Sequence, residues 1–365
     1  MRIEELDYAL PPEQIAQRPL GRRDASRMLL LDRESGRFED RLFAELPSLL
    51  CGDELLVCNN TRVIPARLFG KRKGINAQTP SRLTRGEHLQ TRVEVFLTRQ
   101  LEPNVWEALV KPGRKLPVGE RIVFAEGELE GEIVARGELG LRTIRFKTSK
   151  GRELAALLER LGHIPLPPYI EREDEPSDRS RYQTVFARQA GAIAAPTAGL
   201  HFTPEILAKI RERGIETCEI TLHVGLGTFQ PIHAQELQNH KMHAESYEIP
   251  AETAEKIIAA RLSGRKILAV GTTVVRAFED GALRAAESGS GKRLASGKAE
   301  ASLFITPGFS FRVVDGLLTN FHLPRSTLLA LVCAFAGTNH VLNAYRHAVE
   351  AKYRFYSYGD CMLIR

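Results

Sequence analysis

From Ala66 to Lys147 the chain shows no helical period. Short apolar and polar alternations follow one another, as in Val93-Glu94-Val95-Phe96-Leu97, Trp106-Glu107-Ala108-Leu109-Val110, Arg121-Ile122-Val123-Phe124 and Arg142-Thr143-Ile144-Arg145-Phe146, with glycine, proline and charge between them. Strands that bury one face read this way, and many short ones in succession favour a small closed barrel. The flanking sequence reads differently. A hairpin is expected from Met28–Asp32 and Arg37–Asp40 around Glu34-Ser35-Gly36, and an apolar strand, Glu54–Cys58, runs into Asn59-Asn60-Thr61-Arg62. Beyond the insert, a helix from Gly151 to Leu161 returns the chain to the main domain, and Pro165-Leu166-Pro167-Pro168 is a rigid connector. Helices and strands then alternate. Thr203-Pro204 opens a helix to about Arg213, followed by the strand Ile215–Ile220; Pro250 opens another, ended by Gly264 and leading to the strand Lys266–Val270. The last helices are expected over Ser326–Phe335 and Val341–Lys352. The expected fold class is an α/β main domain with an inserted small all-β barrel-like domain. The main domain is discontinuous, over 1–65 and 148–365, and the insert spans 66–147. Gly74–Gln90 and Glu287–Lys298 read as mobile surface loops.

Charge separates the two parts as well. Between Thr61 and Ala125 there are thirteen Lys and Arg against five Asp and Glu, although the whole chain carries only +6. Such a basic insert suits an anionic polymer such as RNA, or is simply a solvated face. The five cysteines, Cys51, Cys58, Cys218, Cys333 and Cys361, never form a Cys-x-x-Cys pair, so buried free thiols are expected rather than a zinc ribbon or a disulfide framework. His240, His243 and Glu245 are too weak a pattern for a metal site. No apolar run reaches the ~20 residues of a membrane span, and the N-terminal residues do not resemble a secretion signal. A cytoplasmic, monomeric protein without membrane contact is expected.

Chemistry concentrates in the middle of the chain, where apolar runs stop at glycine, histidine and hydroxyl residues. Arg181-Tyr182-Gln183-Thr184-Val185-Phe186-Ala187, Ala195-Pro196-Thr197-Ala198-Gly199-Leu200-His201-Phe202 and Thr221-Leu222-His223-Val224-Gly225-Leu226-Gly227-Thr228-Phe229 carry it, and His240-Lys241-Met242-His243-Ala244-Glu245 closes the block. Six of the ten histidines lie between His163 and His243, a clustering that favours proton transfer over core packing for at least one of them. Gly225-Leu226-Gly227 lacks the third glycine of a dinucleotide fingerprint, and Gly271-Thr272-Thr273 lacks the lysine of a phosphate loop. The second still fits a strand-to-helix turn that offers backbone N–H groups. Near the end, Asn320, His322 and Arg325 precede an apolar helix capped by Ser326 or Thr327. Tyr353-Arg354-Phe355-Tyr356-Ser357-Tyr358-Gly359-Asp360 reads equally as a stacking surface or as core.

Taken together these motifs resemble the S-adenosylmethionine:tRNA ribosyltransferase-isomerases of queuosine biosynthesis. The similarity runs nearly end to end through Asn60–Leu68, Tyr182–Ala187, Pro196–Phe202, Gly227–Phe229, His240–Glu245, Thr319–Leu329 and Tyr353–Asp360. Three places depart from the family pattern. Gly74–Gln90 is longer than the usual connection, Ala299-Glu300-Ala301-Ser302 stands in place of a Thr-Asp pair, and Val274 replaces a serine. The resemblance implies transfer and isomerisation of the ribosyl moiety of S-adenosylmethionine onto 7-aminomethyl-7-deazaguanine at the wobble position of tRNA. Epoxyqueuosine, adenine and methionine are the implied products. S-adenosylmethionine is then a co-substrate, with no cofactor and no metal. On this reading His201, His223, His243 and Glu245 include the proton-transfer groups, with the identity of the base open. Gly199, Gly225, Gly227 and Thr228 let backbone approach the nucleoside. Arg181, Tyr182, Gln183, Asn320, His322 and Arg325 are candidates to hold the modified base, the methionine carboxylate or phosphates. The basic insert would grip the anticodon arm. The competing reading is a non-catalytic tRNA-binding protein of the same fold.

Overall fold

The computed structural model describes residues 2–75, 92–149, 151–225, 236–237, 242, 244–289 and 293–365. Its main architectural element is a nine-stranded mixed sheet. In spatial order the strands are Gly297–Ala301, Glu245–Ile249, Glu216–Leu222, Leu55–Asn59, Ile267–Val270, Gly316–Asn320, Cys361–Ile364, Arg27–Leu31 and Phe38–Leu42. The four central strands, Glu216–Leu222 through Gly316–Asn320, are mutually parallel; antiparallel strands flank them on both sides. Central parallel strands must be apolar on both faces, and Leu55–Asn59 is buried at every position. Its alternation feeds two cores. Leu55 and Val57 face a cluster with Ile257, Val275, Phe278 and Leu329, whereas Leu56 and Cys58 face one with Phe43, Phe202, Ile206 and Ile210.

The helices on these faces start where the sequence provides a cap or a proline. Thr203 accepts the Ile206 N–H (3.3 Å) ahead of Pro204–Glu212, and Ser326 accepts that of Leu329 (3.2 Å) ahead of Thr327–Ala336. Pro250 precedes Ala251–Leu262, and Thr272–Glu287 and Thr338–Glu350 complete the set that covers the first cluster. The hairpin expected near the N-terminus forms between Arg27–Leu31 and Phe38–Leu42. Among the described residues, no single helix is long and apolar enough to cross a membrane.

The second architectural element is a closed six-stranded antiparallel barrel. Its order is Leu141–Thr148, Val105–Lys111, Arg92–Glu102, Arg67–Ile75, Glu120–Phe124 and Leu129–Arg136. Val93, Val95, Leu97, Ile122, Ile133 and Ile144 fill its interior. Gly70 is required there, because a Cβ would come within 2.8 Å of Ile122 and Phe124. The α/β-plus-barrel class therefore holds. By compactness the chain divides into one unit comprising residues up to Arg62, Pro167–Glu173 and Ser180–Arg365, and another comprising Val63–Leu166 and Asp174–Arg179.

Several local expectations change. Within the expected Glu287–Lys298 loop Leu294 is buried and Gly297–Ala301 forms an edge strand on Glu245–Ile249, while 290–292 lie outside the described residues. Edge pairing acts through the backbone, so a Ser/Gly/Lys-rich composition does not reveal it. Gly74 belongs to the strand Arg67–Ile75, and the remainder of the expected loop at 76–90 lies outside the described residues. The insert's basicity is also less free than its count implies. Arg72 pairs with Glu120 (2.6 Å), Lys73 and Arg121 with Glu130 (2.7 and 3.5 Å), and Arg99 with Glu107 (2.9 Å). Four of the five free cysteines are buried and Cys51 is exposed.

Candidate active site

Open sheets bind ligands beyond the carboxyl ends of their parallel strands. Here those ends carry Thr61, His223, Gly271 and Asn320, four positions widely separated in sequence. Asn59 ties the ends together: its Oδ1 accepts the N–H groups of Thr61 (3.1 Å) and Leu222 (3.0 Å), and its Nδ2 donates to the Leu222 carbonyl (2.9 Å). Asn60 is used similarly, donating to Glu219 and accepting from Thr221. The adjacent asparagines are thus a clamp between strands.

Beside this clamp lies a cleft lined by Tyr169, Pro196, Thr197, Gly271, Thr272, Thr273, Thr319, Asn320, His322, Ser326, Tyr356 and Ser357 together with apolar neighbours. Gly271 has φ +93°, a left-handed conformation that permits the turn from Ile267–Val270 into the helix Thr272–Glu287. The first N–H groups of that helix have no intrahelical acceptor and present donors to the cleft. No lining residue carries a charge at neutral pH. His322 is buried, bonded through Nε2 to the Thr319 hydroxyl (2.8 Å), and burial pushes its pKa down to about 3. Asn320 donates to the Tyr356 carbonyl (2.9 Å), while its buried Oδ1 makes no hydrogen bond.

His201 ends the short turn Thr197–His201 and is buried against Phe43. Its Nδ1 bonds the Ser26 hydroxyl (2.8 Å), and its Nε2 has no hydrogen-bond partner. Burial lowers its pKa to about 4, against a smaller opposing effect of the Asn320 amide, with Arg23 and Arg354 lowering it further. Ser26, Leu200, His201, Arg23, Arg181 and Tyr358 belong to a second, smaller cleft. Ser357 borders both clefts.

His223 follows the strand Glu216–Leu222, with Nδ1 2.8 Å from the Thr61 hydroxyl; partial burial lowers its pKa. Val224, on the alternate face, lines the larger cleft. Glu245 is buried in an ion pair with Arg276 and accepts the Gly225 N–H (3.0 Å). Arg276 also donates to the Ala301 and Leu303 carbonyls. The departure at Ala299–Ser302 therefore provides a backbone carbonyl to this pair, and Val274 is a core residue.

Gly199 is explained by packing: a Cβ would meet Phe186 at 2.6 Å and Thr184 at 2.7 Å. Tyr182 is fully buried, edge-on to Tyr358 at 5.8 Å, and Gln183 is half-buried next to it. Arg181 holds the carbonyls of Leu20 (2.6 Å) and Gly21 (2.8 Å). Arg325 is separate from the cleft wall, pairs with Asp7 and has φ +55°. Gly227, Thr228 and His243, with His240, lie outside the described residues. In the Tyr353–Asp360 segment Tyr353 and Phe355 are in the core, and Tyr356 and Ser357 line the cleft. Ser26, Arg23, Tyr169 and Arg276 carry no local sequence signal; each reaches its place from a distant element.

Residues 3–364 match the family model described as queuosine biosynthesis protein. The chain belongs to the queuosine biosynthesis protein family. Similar family members include the S-adenosylmethionine:tRNA ribosyltransferase-isomerases of Solibacter usitatus, 53% identical, and Moorella thermoacetica, 50% identical, each with both chains fully covered. The crystal structure of S-adenosylmethionine tRNA ribosyltransferase from Thermotoga maritima is 36% identical, with 99% of this chain and all of that one covered at a TM-score of 0.53. The matches to these relatives span the whole chain, so the similarity covers the residues of both the sheet and the barrel.

Proposed function

We propose that the chain is an S-adenosylmethionine:tRNA ribosyltransferase-isomerase that acts on 7-aminomethyl-7-deazaguanine at the tRNA wobble position, releasing adenine and methionine. The observation that carries this reading is the uncharged cleft at the carboxyl ends of the parallel strands, in a member of the queuosine family. Backbone donors at Thr272 and Thr273, the Asn320 amide and the neutral His322 imidazole offer directional partners for ribose and base. The sulfonium of the substrate acidifies the C5′ hydrogens and departs later as a neutral thioether. The protein must remove a C5′ proton, deliver a proton to the departing adenine and present the tRNA amine. His201 and His223 are held in the neutral form that a base requires, although burial weakens their basicity, and His243 belongs with them as a candidate. Glu245 is the counter-ion of Arg276 and acts on the chain position at Gly225.

The test is adenine release from S-adenosylmethionine mixed with tRNA bearing the modified base, with tRNA mass followed in parallel. Adenine and methionine release with a ribosyl-derived mass gain supports the reading. Tight tRNA binding with no release from either substrate supports a non-catalytic tRNA-binding protein instead. Loss of deuterium from C5′-labelled S-adenosylmethionine then identifies the base. A His201→Ala or His223→Ala variant that still binds tRNA but neither exchanges label nor turns over marks the base.

A further inference from the structure

The smaller cleft has a charge arrangement unlike that of its neighbour. Arg23, Arg181 and Arg354 converge near buried His201, and none is ion-paired to a carboxylate side chain among the described residues. Arg23 donates to the carbonyls of Leu200 (3.1 Å) and Ser180 (2.7 Å), Arg181 to those of Leu20 and Gly21, and Arg354 to that of Arg18. Arg354 Nη1 is buried without a partner. Arg181 stands close enough to Arg23 to lower its pKa. Asp24 binds Arg22, and Asp360 accepts the backbone N–H groups of Arg27 and Arg354 while its charge acts favourably on the Arg354 guanidinium. Guanidinium groups held in place by backbone carbonyls, with Arg23 and Arg181 close enough to repel each other, suit the binding of an oxyanion.

We infer that the cleft formed by Arg23, Arg181, Ser26 and His201, with Arg354 beside it, binds an oxyanion of the reactants while the uncharged cleft across Ser357 holds the nucleoside. The inference rests on the ribosyl-transfer reading, which identifies two sources of such an anion, a tRNA backbone phosphate and the methionine carboxylate. Ser357 lines both clefts, so an anion held by the charge cluster would lie beside the neutral cleft proposed for the nucleoside. That proximity favours a group attached to one of the reactants over an unrelated effector.

The experiment uses the full chain and the variants Arg23→Gln, Arg354→Gln and Arg23→Lys. Thermal melting identifies those that remain folded, and Arg23→Lys keeps the charge should the glutamine variant fail to fold. Affinities for tRNA are measured across a salt series, and those for S-adenosylmethionine and its decarboxylated analogue by calorimetry, the latter also with the unaltered protein. A phosphate ligand predicts tRNA affinity weaker by about ten- to a hundredfold in the glutamine variants, and a salt slope reduced by about 0.7–0.9, with S-adenosylmethionine binding unchanged. A carboxylate ligand predicts the same loss for S-adenosylmethionine, no effect on tRNA, and weak binding of the decarboxylated analogue that the variants do not worsen. Folded variants whose affinities for both reactants stay within about twofold of the parent, with an unchanged salt slope, would overturn the oxyanion site. Adenine release by the unaltered protein is read separately, so failure of this inference is distinguishable from failure of the reaction assignment.

Discussion

At the scale of single residues, burial decides how the polar groups behave. The His201 and His322 imidazoles, at about 4 and about 3, lie below the ordinary histidine value of 6.5 because water is excluded from them. A lowered folded-state value means that the unfolded chain takes up protons first as pH falls below 6.5. Each histidine therefore costs stability by about 1.4 kcal/mol per pH unit until its folded value is reached. Replacing His322 with Asn should reduce the stability lost between pH 6.5 and 5 by about 2 kcal/mol, measured by urea unfolding at both pH values. Raised Asp360 and Glu279 act in the opposite direction but equally in both proteins. Equal pH slopes would contradict a neutral buried imidazole. Gly199 offers a second check. Gly199→Ala should destabilise the protein by about 1–3 kcal/mol through overlap with Phe186 and Thr184, and Gly199→Ala combined with Phe186→Leu should recover part of that loss in denaturant midpoint.

At the scale of elements, Arg276 links the helix Thr272–Glu287 to the strands Glu245–Ile249 and Gly297–Ala301 through one guanidinium. A buried pair contributes little net stability relative to an apolar pair, but leaving one partner alone is costly. Arg276→Met should therefore destabilise by about 3–5 kcal/mol, and adding Glu245→Gln should return a large part of it. Additive losses in that cycle would show that the two side chains do not depend on each other. The cap is a smaller, cleaner case: Ser326→Ala should cost about 1 kcal/mol by removing the acceptor of the Leu329 N–H, read as a lower melting temperature.

At the scale of the whole molecule, the barrel's charge is expected to contribute to tRNA affinity through groups that are not already neutralised. Lys71 is exposed, whereas Arg72 is held by Glu120, whose side chain is only 1% exposed. Lys71→Glu should leave the melting temperature near that of the parent, weaken tRNA binding and flatten its salt dependence. Arg72→Glu should instead destabilise the barrel by placing a second carboxylate against Glu120. Unaltered tRNA affinity in Lys71→Glu would remove that part of the barrel from the RNA surface.

Periodicity and punctuation along the chain were enough to determine the two architectures. Barrel strands that bury one face alternate with period two, central parallel strands are apolar throughout, and helices begin at Thr203-Pro204, Pro250 and Ser326 because those residues terminate or satisfy backbone locally. The long motifs also determined the family, since their order and identity are properties of the chain itself. What depended on tertiary structure was partnership. Gly199 reads as a ligand approach in sequence but is required by Phe186; Glu245 reads as a proton carrier but meets Arg276; Arg72 reads as a free cation but meets Glu120. Ser26 reached His201 across 175 positions. Burial, and with it the pKa of each histidine, is created only when distant elements exclude water together, so no local stretch of sequence contains it.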